Sequence, residues 1–377
     1  MVHHRVMLFF LLGCISPVLL KSQTNDSVPS KKWVLKNPLE YQKGRFQMSV
    51  YPVSSYDPMS GWEFGVMPVF AFAPKKDSLS NSYYRSSSIT SHFTYSTKNW
   101  TNIRIEGQLF THGFNIVAYC QFLNDPSSFY GIGNDTINKN PSLLMSRYFK
   151  IGGELTKGFS SIHFVGIKFE FLNQDITDIQ GTVLNPSIEG YSGGNSFGLG
   201  PVYKCDTRNN VNFPTKGFLL QTSAVYFFML DNSSKKFAIY SFDYRRYCSI
   251  FKSYVIACQG TVSASTGDVP FYKLPCIGGK YNLRGISNKF MYIDKNVWFV
   301  QSEIRKTVYK RIGVVAFGGV GNVFATWNND MVSHLKTVYG FGGRYQILPN
   351  DKINLRFDYA FGPNSDHGVY ATIREAF

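Results

Sequence analysis

Long apolar runs are missing from most of this chain of 377 residues. After Gln23 no stretch approaches the roughly 18 residues that a membrane-spanning helix needs, so the chain does not cross a bilayer as helices. Cysteine is scarce. The six residues Cys14, Cys120, Cys205, Cys248, Cys258 and Cys276 show neither close pairs nor metal-ligand spacing, which excludes a disulfide framework and a zinc site. Histidine is sparse as well: beyond His3 and His4 there are only His92, His112, His163, His334 and His367, none in H-E-x-x-H spacing. No glycine-rich phosphate loop opens a helix, and the residues point to no cofactor. Acidic residues are outnumbered, 24 against 39 basic ones, for a net charge of +15.

What is present begins with MVHHRVMLFFLLGCISPVLLKSQ. A basic start at Arg5, an apolar run from Val6 to Leu20 and the small Ser22 before Gln23 read as a secretory signal peptide over residues 1–22. The run Leu11-Leu12-Gly13-Cys14 resembles a lipoprotein cleavage box but falls inside the apolar segment. For an exported chain this charge reads either as a solvated basic surface or as one that meets lipid phosphates or surface polysaccharide; nucleic acid is not an expected neighbour. Aromatics are abundant: 33 Phe, 24 Tyr and 5 Trp make up 16% of the residues. With 33 Gly and a mean hydropathy of −0.14, this composition fits a barrel with aromatic girdles.

Periodicity supports the barrel. Ile353, Leu355, Phe357, Tyr359 and Phe361 alternate with Asn354, Arg356, Asp358 and Ala360, which is a strand between lipid and a wet interior. Trp298, Val300 and Ile304 likewise alternate with Gln301, Glu303 and Arg305. The same template predicts strands near 45–55, 61–73, 86–97, 100–112, 115–123, 143–155, 159–172, 195–208, 215–230, 235–248, 251–265, 296–308, 312–325, 335–347, 351–361 and 367–377. The expected fold is all-β: an antiparallel transmembrane β-barrel over 45–377 with 16 strands, an even number, preceded by a short periplasmic segment over 23–44. The long connections 124–142, 173–194 and 266–295 then face outward, and the inward ones are short except for 74–85. Phe377, in register with Val369, Ala371 and Ile373, is expected on the lipid face, closing the barrel. Pro52 cannot donate a ladder hydrogen bond, which predicts either a weak seam between the first and last strands or a first strand that ends there near the outer rim.

Between the eleventh and twelfth strands lies LPCIGGKYNLRGIS, Leu274 to Ser287. It resembles the inward-folding loop of the BamA/TamA superfamily of outer-membrane barrels, or bacterial surface antigens, whose tip reads V-R-G-F/Y where this chain has Leu283-Arg284-Gly285-Ile286. Asp206-Thr207-Arg208 followed by Pro214 and Gly217 resembles that family's D-T-R and P-x-x-G turn. SFDYRRY from Ser241, SEIRK from Ser302 and NLRFDYAFG from Asn354 fit it as well. Two departures stand out. The region before the first strand is too short for a POTRA domain, and the family's F-x-D-x-G motif appears as Phe317-Gly318-Gly319-Val320-Gly321, with Gly319 where aspartate belongs.

An arginine at a loop tip cannot rest in lipid, so Arg284 is expected to point into the wet lumen or out to solvent, and Gly278, Gly279 and Gly285 give the hinge the tight backbone that would fold the tip inward. Glu303, on the polar face of the next strand, is the first candidate to lock it there; Asp358 and Asp243 are the others. The resemblance implies a non-enzymatic accessory that inserts or translocates protein or lipid. Its partners would be outer-membrane lipid and lipopolysaccharide, unfolded outer-membrane or secreted clients, and subunits of an assembly machine. A plugged passive pore and a surface binder using 124–142 and 173–194 are the alternatives. Gly190-Tyr191-Ser192-Gly193-Gly194 matches G-x-S-x-G, but it sits in a glycine-rich loop with no helix to follow, so it does not read as a nucleophile elbow.

Overall fold

In a computed structural model, the structure describes residues 40–43, 46–57, 61–72, 85–136, 140–232, 234–251, 253–348 and 352–377. The expected signal peptide, most of the segment 23–44 and nearly all of the connection 74–85 lie outside them. Sixteen long strands follow one another: β1 (Phe46–Asp57), β2 (Gly61–Phe72), β3 (Ser87–Ser96), β4 (Thr101–Thr111), β5 (Phe114–Phe129), β6 (Ser142–Gly158), β7 (His163–Gln180), β8 (Gly193–Asp206), β9 (Gly217–Met229), β10 (Lys236–Ile250), β11 (Tyr254–Gly267), β12 (Asn296–Tyr309), β13 (Ile312–Phe324), β14 (Lys336–Leu348), β15 (Ile353–Phe361) and β16 (His367–Ile373). Each pairs antiparallel with its neighbour in sequence, in an unbroken ladder from β1 to β16.

Side chains alternate across this sheet because its two faces meet different media. Phe64, Val66, Leu155, Val165, Ile167, Val300 and Ile304 are exposed on the outer face, whereas Glu154, Glu170, Gln301, Glu303 and Arg305 are buried on the inner one. Two strands outrun their expected ends: β5 continues to Phe129 and β7 to Gln180. There Asp125 pairs with Ser146 and Asp175 with Arg147 in the ladder. Beyond the lipid both faces are polar, so alternation fades while main-chain pairing goes on.

The lumen is filled at the end that carries the long loops. Phe129, Ile176, Phe227 and Phe237 from the strands meet Phe271 and Phe290 from the connection 268–295 in one apolar cluster. Rings of Phe227 and Phe237 stack at 4.7 Å, and Phe129 meets Phe271 edge-on at 4.8 Å. At the opposite end a polar cavity of about 490 Å³ opens between β4–β11 and residues 373–377.

The first and last strands share no ladder register among the described residues; their ends overlap. Leu355 and Ile373 form a cross-strand pair on the outward face of β15 and β16, and Tyr51 and Met67 form one on the inward face of β1 and β2. The two sets pack together with Val53, Val69, Ile347 and Ile353, so the lower end of the last strands lies inside the first. Arg374 follows this course and donates to Ser88 Oγ at 2.7 Å. On the other edge of β1, Glu40–Lys43 forms a short antiparallel strand against Phe46 to Ser49. Pro52 stands opposite Val66 on the outer face of β1, where its missing N–H leaves a gap at mid-strand. A cysteine at position 67, 69 or 71 is accordingly expected to form a disulfide with one at 373. If instead only pairs drawn from 47–51 and 369–373 crosslink, the edges zip into a ladder and the overlap is wrong.

Candidate functional site

The connection between β11 and β12 turns into the lumen as a hairpin. Cys276–Ile277 pairs with Tyr292–Ile293, Gly278 N–H donates to the Asn282 carbonyl and Gly279 N–H to that of Ile286, both at 2.9 Å. Gly285 has φ +124°, and a Cβ there would stand 2.5 Å from the Phe361 carbonyl oxygen, so both the backbone and the neighbour demand glycine. Its N–H donates to Tyr370 Oη at 3.1 Å, and the Ser287 N–H to Asp366 Oδ2 at 2.8 Å. The far side of the loop is tethered by Lys273 to Glu170 on β7.

At the tip, Leu283 and Arg284 face different surroundings. The Leu283 side chain fills a notch on β13 that has no side chains of its own: a Cβ at Gly319 would lie 2.6 Å from Leu283 Cδ2, and one at Gly321 2.8 Å from Cδ1. The Arg284 guanidinium lies over the Phe317 ring at 3.7 Å. It donates through Nη2 to Glu303 Oε2 at 2.7 Å and through Nη1 to Asp358 Oδ2 at 2.5 Å, and all three side chains are 0% exposed. Two carboxylates from strands on either side of Phe317 thus do what one aspartate at Gly319 would have done.

The pair is part of a closed ring. Arg305 binds Glu303 at 2.5 Å, Arg344 binds Asp358 at 2.6 Å and Glu375 at 2.8 Å, and Arg305 completes the circuit to Glu375 at 3.9 Å. Arg356 adds a contact to Asp358 at 3.3 Å and donates to the Lys280 carbonyl at 2.6 Å. Burying seven charges is costly unless each finds opposite charge, and here every carboxylate touches at least two arginines. The ring ties the loop to β12, β14, β15 and the segment after β16.

Of the residues singled out in the sequence, Arg284, Glu303 and Asp358 meet in space, and Gly278, Gly279 and Gly285 shape the hairpin that brings them there. Asp243 does not join them. It is held by Arg245 on its own strand at 2.8 Å and is linked to the loop indirectly: Gln259 bridges Asp243 and Gln301 by hydrogen bonds of 2.7 Å, and Gln301 donates to the Tyr281 carbonyl at 2.8 Å. Phe377 lies in the lumen and not on the lipid face: it is 4% exposed, packs with Tyr247 and Ala257, and its carbonyl accepts from Arg305 Nη2 at 2.8 Å. The cause is the overlap at the seam, which carries the last residues inward past β1 and β2. Arg305, Arg344, Arg356 and Glu375 were not anticipated, although all stand on polar faces within segments that the sequence marks out. The D-T-R motif makes a turn, with Asp206 clasped by Arg208 at 2.9 Å and also by Arg85. Gly190 to Gly194 leads directly into β8, with Gly190, Gly193 and Gly194 at φ +83°, +95° and +148°. Among the described residues no three His, Cys, Asp or Glu side chains converge as a metal ion would require.

Comparison with known proteins fits this geometry. The model of the Omp85 superfamily domain matches residues 78–370. Among solved structures, BamA from Haemophilus ducreyi lacking POTRA domains 1-3 superposes with a TM-score of 0.54 at 15% identity, covering 88% of this chain and 70% of that one. CdiB from Acinetobacter baumannii gives 0.52 at 13% identity, and CdiB from Escherichia coli 0.54 at 10%. This chain spans 60% and 63% of those two and 88% of itself is covered in each, so the likeness is one of fold. No curated protein matches it. A barrel of sixteen antiparallel strands with a loop folded inward between β11 and β12, matched by that model over most of its length, makes the chain a member of the Omp85 superfamily and a BamA-type β-barrel of the Gram-negative outer membrane.

Proposed function

We propose that this barrel is an accessory in the insertion or translocation of protein or lipid at the outer membrane, working without chemistry of its own. One observation carries the reading: the lumen is blocked, while the first and last strands meet through side-chain packing and not through a ladder among the described residues. Apolar packing fills the outer end, and the buried ring around Arg284 holds the loop across the middle. No ladder joins β1 to β16 among the described residues, and Pro52 weakens the edge that a ladder would use. A barrel built this way handles its substrate at the wall more readily than through the lumen. Its partners would be unfolded outer-membrane or secreted proteins, subunits of an assembly machine, and the lipid and lipopolysaccharide around it.

Affinity capture of the barrel from crosslinked outer membranes tests this. Recovery of periplasmic assembly factors or unfolded barrels supports it, whereas a barrel recovered alone favours the pore or the surface binder. In planar bilayers the parent is expected to carry no large steady current. A large one would mean that the loop does not seal the lumen and would turn the reading toward a pore.

A further inference from the structure

We infer that the short strand Glu40–Lys43 is a built-in cover for the free edge of β1, and that by occupying this edge it keeps β16 from zipping onto β1. A strand has two hydrogen-bonding edges, and each must find a partner or face solvent. One edge of β1 is taken along its whole length by β2, from Phe46 opposite Phe72 to Asp57 opposite Gly61. On the other edge Glu40, Tyr41, Gln42 and Lys43 pair with Ser49, Met48, Gln47 and Phe46. From Val50 onward no strand among the described residues pairs with that edge, and Pro52 stands in the part left open. To close the sheet, the lower end of β16 would have to pair with the same four residues, Phe46 to Ser49. It passes inside β1 and β2 instead, with Ile373 packed against Val69 and its neighbours.

The overlap is a state that has to be held. Gln47 and Ser49 stand on the inward face of β1 beside Ala71 and Val69, in the patch against which the last strands pack, and they are 4% and 0% exposed. Neither Gln47 Oε1 nor Ser49 Oγ has a hydrogen-bond partner there. Buried polar atoms without partners are costly, whereas in a zipped sheet the same two side chains would face the wet lumen. Apolar packing of Val69, Ile347, Ile353 and Ile373 offsets that cost, and the covered edge denies the alternative. The cover itself is lightly held. It is four residues long, Tyr41 is 53% exposed, and the ring of Tyr41 meets that of Phe46 only at 6.4 Å. A strand that is to add to this part of β1, whether β16 or one from another chain, must displace it first.

Two sets of cysteine pairs in the full chain, with the native cysteines replaced, test this. Val69→Cys/Ile373→Cys reports the overlap, and pairs that join one residue of 47–51 to one of 369–373 report a ladder. In the parent only the first set is expected to form a disulfide. Tyr41→Pro/Gln42→Pro keeps the chain length but removes two successive N–H groups, so whichever of them faces β1, the cover cannot pair. In that background the ladder pairs are expected to crosslink about fivefold more than in the parent, with a matching loss at Val69→Cys/Ile373→Cys. The same pattern in the folded variant as in the parent overturns the inference, since β16 would then stay inside without the cover. Hydrogen exchange of the parent is a second measurement that needs no variant. Amides of 46–49, paired on both edges, should exchange about tenfold more slowly than those of 50–57, paired on one. Equal exchange would show that the edge is uncovered and would overturn the inference as well. Both readouts follow the seam alone, so their failure is distinct from a failure of the proposed role in insertion, which affinity capture tests.

Discussion

Glu303→Gln is expected to be among the most damaging single changes in this barrel, lowering its stability by about 3 to 5 kcal/mol. Glu303 holds Arg284 at 2.7 Å and Arg305 at 2.5 Å with no solvent to replace it, so its loss leaves two buried guanidinium groups facing a neutral amide. Arg284→Ala is milder, about 2 kcal/mol, although it removes the same ion pair and the contact with Phe317. The reason lies in what remains: Glu303 keeps Arg305, and Asp358 keeps Arg344 and Arg356. The double variant returns the ring to the parent's net charge, so it should be no less stable than Glu303→Gln alone. Resistance of the folded band to heating on a gel ranks the three. Additive losses would show that the two side chains do not act on each other, and the lock as drawn would have to be given up.

The second large effect concerns a residue that looks like a defect. Introducing the aspartate expected at Gly319 by Gly319→Asp should destabilise the barrel by about 1 to 3 kcal/mol, because the notch is already occupied. A Cβ there would meet Leu283 Cδ2 at 2.6 Å, Gln301 Cβ at 2.9 Å and the Val300 carbonyl oxygen at 2.9 Å. Leu283→Ala alone should cost about 2 to 5 kcal/mol by emptying a fully buried site. Combined, the two changes should cost less than their sum, since the shortened side chain makes room for the new one. A Gly319→Asp barrel as heat-resistant as the parent would mean that Leu283 is not seated in the notch.

These two cases show what could be read without the structure. Strands were legible because each residue pair samples two media, and the period of two survives wherever lipid lies on one side. It failed at Asn124 to Ser128 and at Asn173 to Thr177, where the ladder leaves the lipid and both faces turn polar. The contact of Arg284 with Glu303 was legible because an inward loop must reach the inward face of the strand that follows it. Arg344, Arg356 and Glu375 were not, since they arrive from three further segments and only the register and curvature of the sheet bring them to one point. Asp243 fails for a local reason: Arg245, two residues away on the same face, takes it first. Phe377 fails for a global one. The alternation of Val369, Ala371 and Ile373 is outward as read, but at Ile373 the outward face is covered by β1 and β2, which no one-dimensional pattern records.

The central claim is that the tip of the loop between β11 and β12 is folded into the lumen and held there by Arg284. In a background with the native cysteines replaced, a cysteine at Ile286, which is 0% exposed, should resist a membrane-impermeant maleimide applied to whole cells. A cysteine at Ser187, exposed on the outer loops, should label readily, and Glu303→Gln should bring the Ile286 position toward that rate. Labelling of Ile286→Cys as fast as Ser187→Cys in the otherwise parental barrel would place the tip outside the lumen and contradict the account.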